Sequence, residues 1–105
     1  MKVLASAAAV ALATAASAVM AQAPAPDPAL GRSLAATCSN CHGTGGKAAP
    51  GSAVPGLAGR SAEDIVRLMQ EFRDGKRQAT IMHQLAKGYT PEQVDAIAAF
   101  FAAQK

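Results

Sequence analysis

The chain has 105 residues, ten Lys or Arg against seven Asp or Glu, and a net charge of +3. That length holds one small domain. The weak basic balance, with one Tyr, three Phe and no Trp, excludes a nucleic-acid surface, which needs a dense positive stripe or an aromatic stacking platform.

Met1-Lys2 is a short basic head, and Val3 to Met20 is an apolar, alanine-rich run. Val19-Met20-Ala21 fits the cleavage site of a signal peptide over residues 1–21, with Gln22 as the first mature residue. Ala16-Ser17-Ala18 is a second possible site. A membrane anchor competes, because the run is nearly long enough to span. The alanine content and small-residue end favour a cleaved leader, so no stable membrane insertion of the mature chain is expected. Cleavage after Ala21 leaves 105 − 21 = 84 residues and, without Lys2, a charge of 9 − 7 = +2. A chain of that size buries little core and usually needs a staple. Residues 22–28 (QAPAPDP) read as a flexible Pro/Ala linker, ahead of a domain over 29–105.

A first helix is predicted from about Pro28 to Thr37, capped by Asp27 with Pro28 in its first position. Leu30, Leu34 and Cys38 recur at i, i+4, i+8, forming an apolar face. Gly31 on this helix implies close approach of another element.

The helix leads into Cys38-Ser39-Asn40-Cys41-His42. Two thiols three positions apart, followed at once by an imidazole, form the attachment pattern of a c-type haem. Each thiol adds to one vinyl group of the porphyrin, and His42 is placed to bind the iron as its proximal ligand. Three other readings compete. A redox disulfide needs a thioredoxin-like strand–helix context, and no strand pattern precedes the pair. Zinc wants four ligands, and only His42 and His83 are left to assist. A plain structural disulfide, like the redox one, gives the adjacent His no role. The haem is then the staple, and export agrees with it, since bacteria attach c-type haem outside the cytoplasm. The expected location is the periplasm.

Residues 43–59 are loop, with six glycines and two prolines. A loop this long is uncommon in a compact domain unless it is functional. It is placed to wrap one face of the haem, with Pro55 and Leu57 as inward contacts. The Pro55 carbonyl is a candidate acceptor for the His42 Nδ1 proton, which would raise the basicity of the iron-binding nitrogen. A simple turn proline is the alternative.

A second helix starts at Ser61, with Ser61 and Asp64 resembling a capping box. Ile65, Leu68, Met69 and Phe72 form its apolar stripe, and Gly75 ends it. Arg73, Lys76 and Arg77 read as a solvated face, or as a docking patch for an acidic partner. A short helical turn follows over 80–87, closed by Gly88. The last helix opens at Thr90-Pro91-Glu92-Gln93, a capping box with Pro in the first position. Val94, Ile97, Ala98 and Phe101 line its inward face, and it is expected to cross the first helix at Gly31, making room for Phe100 or Phe101.

The second axial position decides the chemistry. An open iron suits gases or peroxide, whereas a closed one suits electron transfer. Met69 lies on the amphipathic stripe and reads as core filler. Met82 lies 82 − 42 = 40 residues after His42 and shares a face with Leu85 and Tyr89. His83 is rotated about 100° from it, towards Ala79 and Lys87, a more exposed face. Met82 is therefore the expected ligand, with a bis-His arrangement through His83 as the alternative. Met/His ligation raises the potential.

These residues resemble class I c-type cytochromes along nearly the whole mature chain: a helix into CSNCHGTGG, P-G-L-A-G at 55–59, an amphipathic helix, a Met segment and a C-terminal helix. The resemblance implies a small all-α fold of three to four short helices wrapped around one covalently bound haem c. It implies that Pro55 hydrogen-bonds His42 and that Gly31 meets Phe100-Phe101 between terminal helices; Tyr89, on the Met82 face, is expected with Pro55 and Leu57 in the haem surroundings. The run T-I-M-x-x-x-A-K-G-Y, Thr80 to Tyr89, is similar to the cytochrome subunit of flavocytochrome c sulfide dehydrogenase. That likeness implies a non-catalytic electron-transfer subunit fed by a sulfide-oxidising flavoprotein. A free soluble carrier exchanging electrons with other redox proteins, and a haem sensor or peroxidase-like enzyme with a labile Met82, are the alternatives.

Overall fold

A computed structural model describes residues 24–105. The expected leader, its cleavage sites and the first two linker residues lie outside the described residues. Four α-helices run in chain order: α1 (Pro28–His42), α2 (Ala62–Arg73), α3 (Met82–Leu85) and α4 (Pro91–Ala102), with 3₁₀ turns at Thr44–Gly46 and Ala86–Gly88. No strand occurs among the described residues, and the fold is all-α. No described helix is long and apolar enough to cross a membrane.

Asp27 caps α1 as its composition suggests, its carboxylate accepting from the Ala29 N–H at 2.9 Å. The helix continues five residues beyond its expected end at Thr37 and carries the whole Cys-x-x-Cys-His turn. Apolar periodicity fades at Ser39-Asn40, but nothing there breaks a helix. Gly43, at φ 91°, does.

The buried face of α1 also differs from the expected one. Gly31, Ala35 and His42 are buried, while Leu30 is 39% exposed and Leu34 and Cys38 are half-buried. The reason is α4. A Cβ placed on Gly31 would lie 2.5 Å from the Ala96 carbonyl oxygen, so the helices meet backbone to backbone. Gly31 makes room for that carbonyl, and the Phe100 Cβ is the more distant neighbour at 3.4 Å. Small residues on α1 bring the axes together, and the larger Leu side chains fall on the other side.

Ser61 caps α2 by accepting from the Asp64 N–H at 3.2 Å, but the capping box is not completed. The Asp64 carboxylate turns to Arg60, at 2.9 Å, and to Arg67. The chain continues through Arg67 to Glu71 (2.6 Å) and Glu71 to Arg77 (2.9 Å), an unbroken ladder of alternating charge. Arg77 is therefore tied to Glu71, and Arg73 and Lys76 have no ion-pair partner among the described residues. Gly75, at φ 72°, closes α2 in a Schellman arrangement: the Lys76 N–H reaches the Glu71 carbonyl at 2.9 Å and the Gly75 N–H reaches Phe72 at 3.2 Å.

On α4 the capping box is complete, with Thr90 Oγ1 accepting from the Gln93 N–H (3.2 Å) and Gln93 Oε1 accepting from the Thr90 N–H (2.9 Å). Val94, Ile97, Ala98 and Phe101 face inward as expected, joined by Ala96. The central cluster is Ala35, Ile65, Ile97, Ala98 and Phe101, with Met69 packed against it as filler.

Candidate functional site

The last turn of α1 delivers Cys38, Cys41 and His42 together. Both thiols are free. Cys38 is half-buried, and desolvation pushes its thiol above the usual range, while Cys41 is exposed. His42 is 9% exposed. Its Nδ1 lies 2.7 Å from the Pro55 carbonyl oxygen. A carbonyl only accepts, so Nδ1 carries the proton, and in the neutral ring the Nε2 lone pair is then the free one.

That contact depends on how the glycine loop is folded. The Gly46 carbonyl accepts from the Leu57 N–H (2.7 Å) and the Ala58 N–H (3.1 Å), drawing the 55–59 run back towards α1. Gly46 has φ 78°, and a Cβ there would come within 2.7 Å of Phe101 Cδ1. The Gly59 N–H then donates to the Phe101 carbonyl at 2.9 Å, fastening the loop to α4. Leu57 is half-buried against the core. Pro55 is exposed among the described residues, and its carbonyl is the atom that meets His42.

Met82 opens α3 and is half-buried, and Tyr89 is half-buried against the core. Leu85, expected on the same inward face, is 46% exposed. His83 departs from expectation in the opposite sense. It is half-buried, and its Nδ1 is shielded without a hydrogen-bond partner among the described residues. α3 packs against α2.

One contact had no sequence signal. Thr37 Oγ1 lies 2.9 Å from the Leu34 carbonyl and 3.2 Å from the Tyr89 hydroxyl. Thr37 spends its single proton on the carbonyl, so Tyr89 donates to Thr37. This bond joins the residue before Cys38 to the end of the Met82 segment, across 52 positions of sequence.

The donor set fits a covalently attached porphyrin. Two free thiols one helical turn apart adjoin an imidazole held in the tautomer that leaves Nε2 available. It does not fit a bare metal ion: among the described residues no three His, Cys, Asp or Glu side chains converge to hold one. The family model for cytochrome c matches residues 28–105. The chain belongs to the cytochrome c family. Its cofactor is accordingly haem c, covalently attached. Among cytochrome relatives, the chain is 39% identical over 71 residues to the cytochrome subunit of sulfide dehydrogenase from Chlorobaculum tepidum, covering 68% of this chain and 63% of that one. It is 36% identical over 83 residues to cytochrome c-554(548) of Halomonas halodenitrificans, covering 75% of this chain and 98% of that protein. A solved structure of thiosulfate dehydrogenase from Marichromatium purpuratum superposes with a TM-score of 0.71 at 32% identity, over 82% of this chain and 21% of the other. The chain thus spans less than two thirds of the sulfide dehydrogenase subunit and about a fifth of the thiosulfate enzyme.

Proposed function

We propose that this cytochrome is a periplasmic one-electron relay accepting electrons from a sulfide-oxidising flavoprotein. In this reading Cys38 and Cys41 hold the haem, His42 and Met82 are its axial ligands, and Pro55, Leu57 and Tyr89 surround it. The observation that carries the reading is the 2.7 Å contact between His42 Nδ1 and the Pro55 carbonyl. It holds the imidazole in one tautomer and one orientation and makes Nε2 a stronger donor. Bound haem supplies a reversible one-electron iron couple. Met82 contributes a neutral, soft thioether, which raises the potential relative to a second imidazole. The flavoprotein partner is supported by the Thr80–Tyr89 run and by the 39% identical relative named as a sulfide dehydrogenase subunit. The free-carrier reading has its own support in the match to 98% of cytochrome c-554(548).

Met82→Ala tests the ligand. The ferric protein should lose its long-wavelength thioether absorption, turn partly high-spin and, when reduced, bind carbon monoxide that the parent protein excludes. An unchanged spectrum would remove Met82 from the site, and carbon monoxide binding by the parent would favour a sensor. Purification from the native periplasm tests the partner. A flavin-containing companion supports the subunit reading, and a monomer without one supports the free carrier. The mature N-terminus should read Gln22 or, with cleavage after Ala18, Val19.

A further inference from the structure

The Met82 segment is poorly made by local standards. α3 is a single turn, and its N-cap Ile81 offers no side-chain hydrogen bond. One turn of helix does not hold itself in water. Within the segment Ile81 is 53% and Leu85 46% exposed, whereas Ala86 is buried and α3 packs against α2. Two side-chain contacts at its ends add to that packing. At the N-terminal end, Arg77 is bound through Nε to Glu71 at 2.9 Å, and its guanidinium sits 5.9 Å from the centre of the Phe72 ring. That end is fastened to α2. At the C-terminal end, the Tyr89 hydroxyl reaches Thr37 at 3.2 Å, and Thr37 continues to the Leu34 carbonyl at 2.9 Å. That end is fastened to α1, one residue before Cys38. Of the two fastenings, only Tyr89–Thr37 links the segment to the helix that carries the thiols and His42.

We propose that Tyr89 is a positioning residue for Met82: its hydroxyl, bonded to Thr37, holds the ligand segment against α1 and governs how readily an external ligand displaces the thioether. This rests on Met82 being the axial ligand. It assigns Tyr89 a role separate from contact with the porphyrin, which its ring alone would provide.

The test uses haem-loaded full-length protein and imidazole as the competing ligand, titrated into the ferric form well below the unfolding temperature. Tyr89→Phe keeps the ring and removes the hydroxyl. Thr37→Val, on an exposed position of α1, removes the acceptor without disturbing the ring. Each should tighten apparent imidazole binding about two- to tenfold, the range expected for one lost hydrogen bond. The double variant should be no tighter than either single one, and Thr37→Ser should behave as the parent. A structural role alone would lower the unfolding temperature and leave imidazole affinity unchanged. Parent-like affinity in Tyr89→Phe, or additive effects in the double variant, would overturn the tether. If the parent lacks the thioether absorption, or Met82→Ala does not alter it, the ligand assignment fails instead. The two failures are thereby separated.

Discussion

At the scale of single residues, the site depends on atoms that have no side-chain identity. The His42 partner is a backbone carbonyl, and the residue opposite Gly31 is met through the Ala96 carbonyl. Gly31→Ala should therefore be harmful, although alanine is the better helix former by about 1 kcal/mol. The added methyl meets rigid backbone at 2.5 Å, where no side chain can swing away. A net loss of roughly 1–3 kcal/mol is expected for this overpacking, read as a lower denaturant midpoint at unchanged slope. Gly31 was legible as a close-contact position because glycine is costly inside a helix. What it contacts was not, because Phe100 and the backbone at Ala96 lie on the same stretch of α4.

At the scale of elements, α4 and α2 show two ways of starting a helix. α4 completes its capping box, so Thr90→Ala should cost about 1 kcal/mol in thermal or denaturant unfolding. α2 leaves its box half-made because Asp64 is committed to arginines. The Arg67 guanidinium, then Arg60, hold the Asp64 carboxyl below the usual carboxylate range, and Arg77, then Arg67, do the same for Glu71. Both groups bind protons less readily folded than unfolded. Their stabilisation is present above the ordinary carboxylate pKa of about 4 and is lost as pH falls through the lower folded values. Asp64→Asn with Glu71→Gln should flatten the acid limb of a stability-versus-pH curve, and added salt should mimic part of that effect in the parent. An acid limb unchanged by both substitutions would mean that the ladder adds nothing. Spacing showed this face of α2 as charged. Which acid paired with which arginine depended on the Schellman turn at Gly75, which folds Arg77 back beside Glu71.

At the scale of the whole molecule, the core is thin. Among the described residues its buried hydrophobics are Ala35, Ile65, Ala86, Val94, Ala96, Ile97, Ala98 and Phe101, and Phe101 is the one large side chain wholly sealed off. Four of the eight are alanines, so the helices gain little by packing on one another alone. Protein in which Cys38 and Cys41 are both replaced by Ala should be largely unfolded, with weak helical circular dichroism and no cooperative thermal transition. Native-like helicity and a sharp transition in that variant would show that the polypeptide core suffices by itself.

The amino-acid sequence alone determined whatever is written in contiguous spacing: the thiol–thiol–imidazole turn, the caps at Asp27, Ser61 and Thr90, and the inward stripe of α4. These are local because helical period and capping act within one or two turns. Only the tertiary structure decided that small residues, and not leucines, form the buried face of α1, since that follows from where α4 lies. It alone chose the Pro55–His42 contact over a simple turn proline, left His83 half-buried, and joined Tyr89 to Thr37. Each of these joins groups 13 to 52 residues apart, or concerns the burial of a side chain, and periodicity within a segment carries no information about what packs on it from outside.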